Sequence, residues 1–284
     1  MDKKNSFDVL VDEKAALMTS RRSFLASSKG IVGAGVALGL VLTGRSSSAQ
    51  AQSTPTAAPT PTLAPGGKRG GGVSCFLPGT RIQTPERDVR IEELRIGDRV
   101  LTAFGEEKPI KFIGRKELSR QPSQAWKGEG PVKISRFAID GKAPHSDLYV
   151  SSAHAIYIDG FLAPANNLVN GSNIVANAKP EALSLTYFHI ELETHEPILA
   201  EGLAVETYLR DHPDAFDNMD EYVRLYGPPG EPLTPFASVV PYWGVRQELA
   251  SHIRSVLAPV YDLRKPIDKI RDRIADRAEL ARAA

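Results

Sequence analysis

The chain contains a single cysteine, Cys75, and its position is typical of a nucleophile that acts on its own backbone. Cys75 follows closely on a run of three glycines at residues 70–72 and opens the sequence Cys-Phe-Leu-Pro-Gly-Thr. A thiolate at the first ordered residue of a domain can attack the carbonyl carbon in front of it, here that of Ser74, and move the upstream acyl group from nitrogen to sulfur. The simpler interpretation is that Cys75 is a small buried apolar residue, the usual role of a lone cysteine.

Such a reaction needs helpers, because a thiol with a pKa of about 8.5 is only a few per cent thiolate at neutral pH, and the leaving amine must gain a proton. The segment Ser151-Ser-Ala-His154 offers both kinds of helper. The imidazole of His154 can protonate the leaving nitrogen, and the hydroxyl of Ser151 can bind the carbonyl or fix the local geometry. The alternatives are that Ser151 is a polar strand end and that His154 is a half-buried, hydrogen-bonded histidine.

Three blocks of sequence, in order, resemble the Hedgehog/intein (Hint) autoprocessing domain. The first runs from Cys75 through Thr80 to Leu101, and the second ends in Ser151-Ser-Ala-His154, similar to the Thr-x-x-His of that family. The third is residues 187–205, Tyr-Phe-His-Ile-Glu-Leu-Glu-Thr-His-Glu-Pro-Ile-Leu-Ala-Glu-Gly-Leu-Ala-Val. The resemblance implies a pseudo-symmetric all-β horseshoe in which the first residue of the domain meets the two later blocks.

The resemblance also implies roles for two histidines of the third block. His195 matches a family histidine that assists downstream chemistry, and His189 stands where many inteins carry an aspartate that helps to activate the cysteine. A splicing intein ends in His-Asn before a nucleophile, whereas Glu206-Thr207 stands at that place here. Neither residue can cyclise to the succinimide that cuts the downstream bond, so the sequence predicts one-sided cleavage at Ser74/Cys75 without splicing.

The elements that must position these residues are short strands. Nine apolar segments, each bounded by Gly, Pro, Asn or Asp, indicate an all-β domain: residues 81–84, 99–102, 110–113, 132–134, 148–150, 155–158, 161–163, 174–175 and 185–192. Asp159-Gly160 predicts a tight hairpin between two of them, because both residues accept positive φ at low cost. Asn170-Gly171 predicts a second hairpin, and residues 89–96 allow one helical turn.

The first 51 residues have the three parts of an export signal. Arg21-Arg22 precedes a mild apolar run over residues 30–42, and Ala49-Gln50-Ala51 is a small-residue cleavage site. The arginine pair resembles a twin-arginine signal, which predicts the twin-arginine export machinery as a partner and a periplasmic or secreted location. A cytosolic amphipathic N-terminus is the alternative. Residues 52–72, rich in Pro, Thr and Gly, have the composition of a linker.

Composition excludes several classes of protein. The 284 residues carry 35 Lys and Arg against 34 Asp and Glu, so the net charge of +1 gives no footprint for nucleic acid. A 42% hydrophobic content excludes a polytopic membrane protein, and one cysteine excludes an intrachain disulfide. No Cys/His cluster has zinc spacing, so the sequence predicts no metal and no cofactor. We expect membrane contact only through the signal segment.

The chain beyond Leu209 changes to a helical pattern. Residues 245–257 place Val245, Leu249, Ile253, Val256 and Leu257 on one face, and Pro266 is a typical first helical residue. The second segment carries a narrow apolar stripe of Ile267, Ile270, Ile274, Ala278 and Ala281. We expect two helices that pack against the β-domain or against a partner helix; presenting a second nucleophile or binding a lipid is the less favoured alternative.

Together these features predict an export signal at 1–51, a linker at 52–72, a Hint domain at 73–209 and a helical extension at 210–284. The predicted catalytic residues are Cys75, Ser151, His154, His189 and His195. The predicted function is single-turnover, cysteine-initiated self-cleavage, with the protein's own N-terminal segment as substrate and water or a small nucleophile as acyl acceptor. The alternative is a Hint fold that serves as a binding or structural module and does not cleave.

Overall fold

A computed structural model describes residues 74–126, 130–212, 214–240, 245–258 and 262–283, with side chains from residue 250 onward in the fourth range. All of these residues belong to the second of two units in the chain, Pro59–Ala284. The first unit, Met1–Ala58, lies wholly outside the described residues, as do the predicted export signal and the linker. The described part contains no helix that is both long and apolar enough to span a membrane.

Short strands dominate the described residues, which confirms the all-β prediction. In chain order they are β1 Arg81–Gln83, β2 Asp88–Arg90, β3 Arg99–Leu101, β4 Glu107–Pro109, β5 Phe112–Ser119, β6 Val132–Ile134, β7 Leu148–Val150, β8 Ala155–Ile158, β9 Phe161–Pro164, β10 Ile174–Val175, β11 Ser184–Glu191, β12 Pro197–Ala200, β13 Leu203–Glu206 and β14 Ser238–Val239. Each of the nine predicted segments coincides with a strand or overlaps one. Five strands lie outside the predicted segments: β2, β4, β12, β13 and β14. Charged residues and proline fill β2 and β4, and β14 has only two residues, whereas β12 and β13 carry apolar runs like those of the predicted strands.

The strands form one larger sheet and three small ones. The larger sheet has seven strands in the order β14-β9-β8-β13-β12-β1-β2, and only the β14-β9 pair is parallel. Strands β10-β6-β7 form a second sheet, and β11-β5 and β3-β4 form two-stranded ribbons. The long β11-β5 ribbon pairs eight residues in register, from Ser184 opposite Ser119 to Glu191 opposite Phe112. This ribbon carries His189 in its inner half, opposite Gly114.

One predicted hairpin is confirmed and the other is wrong. Asp159 and Gly160 adopt φ of 52° and 85° and join β8 to β9 in a tight turn. Asn170-Gly171 joins no hairpin; it lies between helix α1, Ala165–Leu168, and β10. There the Asn170 side chain accepts hydrogen bonds from the backbone amides of Ser172 and Ile174. The dipeptide therefore forms a local side-chain turn, which its sequence favours as much as a hairpin. The helical turn expected within residues 89–96 is a 3₁₀ turn, Ile91–Glu93.

The C-terminal region forms helices α2 Met219–Tyr226, α3 Val245–Leu257 and α4 Pro266–Ala283. Helices α3 and α4 agree with the sequence pattern, whereas α2 is an additional element. On α4, Ile267, Ile270 and Ile274 are buried in the same apolar cluster as the sheet residues. Ala278 is also buried, but Ala281, the last residue of the predicted stripe, is exposed.

The apolar face predicted for α3 is exposed where it is described, at Ile253, Val256 and Leu257. The side of α3 that meets α4 is polar instead. Asp268 of α4 is fully buried and accepts hydrogen bonds from Ser251 at 2.5 Å and from Arg254 at 2.6 Å. Polar contacts therefore join the two helices, and the apolar stripe of α4 is left to pack against the β-domain.

Candidate active site

The backbone next to Cys75 is held between two strands of different blocks. Phe76 donates its amide to the carbonyl of Phe188 at 2.7 Å and accepts the amide of Phe188 at 2.9 Å. One residue further, the amide of Leu77 donates to the carbonyl of Tyr149 at 3.2 Å. Strand β11 carries Phe188 and strand β7 carries Tyr149, so the first residues of the body lie where the second and third sequence blocks meet.

Ser151 holds Cys75 directly. The amide of Cys75, the nitrogen that would leave in the expected reaction, donates to the Ser151 hydroxyl at 2.8 Å. The amide of Ser151 in turn donates to the carbonyl of Cys75 at 2.8 Å. Both residues are buried. The hydroxyl that was expected to bind a carbonyl or fix geometry therefore binds the amide of the scissile bond.

His154 and His189 lie together behind Phe76. Their ring centroids are 4.9 Å apart, and the Phe76 ring lies 4.4 Å from His154 and 6.2 Å from His189. The His154 Nε2 atom is 3.1 Å from the carbonyl oxygen of Glu206. Both imidazoles are fully buried. The structure thus brings two of the predicted histidines to the same side of the Cys75 segment.

Burial lowers the pKa of His189 well below its ordinary value, and the neighbouring His154 lowers it further, against an opposite effect of Glu206. His189 is therefore neutral at pH 7. A hydrogen bond with the Thr207 backbone opposes the lowering of this pKa only in part. A neutral imidazole can accept a proton on its unprotonated nitrogen, which is the property that the family resemblance implies for this position.

His195 lies further along the same site and contacts Glu206. The amide of Phe236 donates to His195 Nδ1 at 3.2 Å, so the proton of the neutral ring lies on Nε2. That atom faces the Glu206 carboxylate, with Oε2 at 3.7 Å. The other carboxylate oxygen, Oε1, accepts hydrogen bonds from the Ser74 hydroxyl at 2.9 Å and the Ala155 amide at 2.8 Å.

Glu206 is thus a site residue that sequence reasoning missed. The sequence showed it only as a departure from His-Asn. The signal that could have found it is a carboxylate at the end of the apolar strand Leu-Ala-Val-Glu, because a fully buried charge requires partners. Its carbonyl contacts His154, its carboxylate faces His195, and the same carboxylate accepts from Ser74, the residue before Cys75.

The sulfur of Cys75 lies in apolar packing, 2% exposed. Its cluster includes Trp126, Tyr187, Tyr208 and Phe216. Burial raises the pKa of the Cys75 thiol well above its ordinary value, and the nearby Lys116 ammonium opposes this only in part. The thiol is therefore protonated in this conformation. Two of the cluster's rings, Tyr208 and Phe216, also lie 5.5 Å and 6.3 Å from the His189 ring, so the apolar cluster borders the histidine pair.

A segment that follows the late block closes this cluster; we call residues 214–226 the cap segment. Its Phe216 fills the space beside Gly114, where an added Cβ would lie 2.4 Å from the ring. Two polar side chains fix the cap segment to β5. Asn218 accepts from the Arg115 amide at 2.8 Å, and Asp217 accepts from the Glu117 amide at 2.7 Å and from Lys116 Nζ at 2.9 Å. No three His, Cys, Asp or Glu side chains of the described residues form a group able to hold a metal ion.

A family model and several solved structures are similar to part of the chain. Residues 74–212 match the model of the Hint domain family. Among solved structures, an intein-like domain from Clostridium thermocellum is 17% identical, covers 47% of this chain and 97% of its own, and gives a TM-score of 0.32. A DnaB intein from Synechocystis sp. PCC 6803 is 10% identical, covers 48% of this chain and 99% of its own, and also gives 0.32. No curated protein matches the chain. The region of this chain over residues 74–212 is a Hint domain, a member of the Hedgehog/intein fold family.

Proposed function

We propose that this protein cleaves itself at the Ser74/Cys75 bond. The observation that carries the proposal is the pair of hydrogen bonds between Cys75 and Ser151, both 2.8 Å long, because they fix the amide on the leaving side of that bond. Every buried amide requires an acceptor, so the bond alone is not specific to a nucleophile. What favours cleavage is that the acceptor is a side-chain hydroxyl on the segment that also carries His154.

The proposed step is an exchange of bonds at the Ser74 carbonyl carbon. The Cys75 sulfur forms a bond to that carbon, the carbon–nitrogen bond to Cys75 breaks, and the nitrogen becomes a free amine by taking up the proton that the thiol gave up. Water or a small nucleophile then displaces the sulfur, which releases residues up to Ser74 and restores the thiol. No metal or cofactor takes part in this scheme.

In this proposal His189 and His154 carry out the two proton transfers, and His195 orients a neighbouring side chain. His189 is neutral and can accept the thiol proton. His154 lies against Phe76 and is the candidate that delivers a proton to the leaving nitrogen. The Nε2 proton of His195 faces Glu206, so His195 orients that carboxylate and does not itself contact the reacting atoms. Glu206-Thr207 replaces the His-Asn of a splicing intein, so the proposed reaction stops after cleavage on the N-terminal side.

One observation favours the alternative of a non-cleaving module. The Cys75 thiol is buried and its pKa is raised, so the conformation described here stabilises the unreactive form. Under this alternative the Hint domain of residues 74–212 is a rigid scaffold that presents another surface. Our proposal requires the cap segment to loosen before the thiol ionises, whereas the scaffold requires no such motion.

The two candidates differ in the fragments they produce. We expect the purified full chain, incubated with dithiothreitol, to yield a fragment that begins at Cys75, and the Cys75→Ala variant to stay intact. Cys75→Ser is a useful third chain, because a hydroxyl supports only the shift to an ester and should slow cleavage strongly. An identical, uncleaved band from all three chains would support the scaffold and refute self-cleavage.

We also propose that the chain is exported by the twin-arginine route, on the basis of Arg21-Arg22 and the apolar run behind them. Because that route carries folded proteins, the Hint domain would fold before export, and cleavage at Cys75 would free it from its leader. Replacing both arginines with lysine should leave the protein in the cytosolic fraction. Unchanged export of that variant would contradict this route.

A further inference from the structure

The absence of a splicing intein's His-Asn pair does not explain the contacts that Glu206 makes in the site. It is fully buried, and its Oε1 atom accepts two hydrogen bonds, from the Ala155 amide at 2.8 Å and from the Ser74 hydroxyl at 2.9 Å. Ala155 belongs to β8 and is fixed by the sheet. The carboxylate therefore joins a rigid strand to the side chain of the residue that would donate its acyl group.

The Ser74/Cys75 bond is thereby held from both sides. On the leaving side, Ser151 binds the Cys75 amide. On the acyl side, Ser74 is held by its own hydroxyl, which donates to Glu206. The short hydroxyl side chains of serine and threonine can donate to a buried carboxylate over this distance, whereas alanine and glycine offer no donor.

We propose that Glu206 is a positioning residue for the acyl group and that it makes the site select a hydroxyl-bearing residue, serine or threonine, immediately before the cysteine. This inference rests on the proposed function and names the substrate sequence that the site prefers. Glu206 does not exchange a proton with the reacting atoms; it acts by fixing Ser74 against the strand that carries Ala155. Removal of the Ser74 hydroxyl would also leave a buried carboxylate oxygen with one partner fewer, which the folded chain disfavours.

The test is a double-mutant comparison in the full chain, read as the rate of dithiothreitol-induced cleavage. We expect Ser74→Ala to slow cleavage about tenfold, an effect typical of one lost charge-assisted hydrogen bond. Ser74→Thr should stay within about threefold of the natural chain, since its hydroxyl can donate in the same way. In a Glu206→Ala background, Ser74→Ala should add less than a twofold effect, whereas Glu206→Gln should preserve the dependence on Ser74 because its amide oxygen still accepts.

A second readout separates failure of this inference from failure of self-cleavage. Hydrogen exchange at the Cys75 amide, measured on the uncut chain before dithiothreitol is added, reports how firmly the bond is held and does not depend on whether cleavage follows. We expect about tenfold faster exchange in Ser74→Ala and natural protection in Ser74→Thr. Equal exchange in all three chains, or equal cleavage of Ser74→Ala and the natural chain, would overturn the role of Glu206. An uncleaved natural chain with the expected exchange pattern would refute self-cleavage while supporting the hold on Ser74.

Discussion

Removal of the Phe216 ring should expose the Cys75 thiol. Phe216 is 4% exposed and closes the apolar cluster that contains the sulfur. A buried Phe→Ala change costs about 3–5 kcal/mol. If the substitution destabilises the closed position of the cap segment by about 3 kcal/mol, the fraction of molecules with an open cap segment rises about 100-fold. The reaction of Cys75 with an aromatic disulfide reagent should accelerate by a similar factor.

The assay is simple to interpret because the chain has one thiol. Leu225→Ala is the matched control, since Leu225 lies on the same cap segment but is 51% exposed. We expect it to change the thiol reaction rate less than twofold. Urea denaturation of each variant separates opening of the cap from global unfolding. Equal thiol reactivity in Phe216→Ala and the natural chain, with both folded, would refute the idea that the cap segment controls access to the sulfur.

Three further predictions concern the supports of the site. Ser151→Ala leaves the buried Cys75 amide without its acceptor, so the free energy of unfolding should fall by about 1–3 kcal/mol and cleavage should slow. Ser151→Thr should keep the natural stability and cleavage rate. Equal stability of the Ala variant would speak against this bond. Because burial lowers the pKa of His189, the unfolded chain binds a proton before the folded chain does as the pH falls. Below about pH 6.5 the free energy of unfolding should therefore drop by up to about 1.4 kcal/mol per pH unit. His189→Gln should reduce this slope, and an unchanged slope would contradict the buried neutral ring. Asp268→Ala removes the buried carboxylate that accepts from Ser251 and Arg254 between α3 and α4, and should cost about 1–3 kcal/mol in thermal or chemical denaturation. A loss well below about 1 kcal/mol would show that the pair is dispensable.

The strands that the sequence predicts well have buried aliphatic residues at alternating positions, as in β6, β7 and β8. This period of two is the pattern of a strand with one face in the core. Strands β2 and β4 could not be predicted because they lie at edges, where Asp, Lys and Pro are acceptable and tertiary pairing decides the structure. The exposure of the apolar face of α3 could not be predicted for a similar reason, because tertiary contacts decide it. A 3.6-residue stripe indicates a helix but does not say which side meets its neighbour, and here Asp268 fixes the polar side inward.

The position of Cys75 and the resemblance of Ser151-Ser-Ala-His154 to the family motif predict which residues should lie together. The structure places Ser151 on the Cys75 amide and His154 beside Phe76, and their catalytic roles stay predictions. The raised pKa of the thiol was not predictable, because the rings that bury it come from several segments far along the chain, from Phe112 to Tyr222. Glu206 was missed for a related reason. A one-dimensional pattern shows that the family's His-Asn is absent, but only the fold shows that the substituted carboxylate reaches Ser74.

The most direct test of self-cleavage is to capture the acyl group with hydroxylamine. Incubated with this nucleophile at mildly alkaline pH, the full chain should yield two species by intact mass, residues 1–74 with a hydroxamate at the Ser74 carboxyl and residues 75–284 with a free α-amine. The yield should rise with pH, because the raised pKa of Cys75 makes the thiolate scarce at neutrality. A single unmodified mass at every pH, the same as that of Cys75→Ala treated alongside apart from the substitution itself, would contradict cleavage by Cys75.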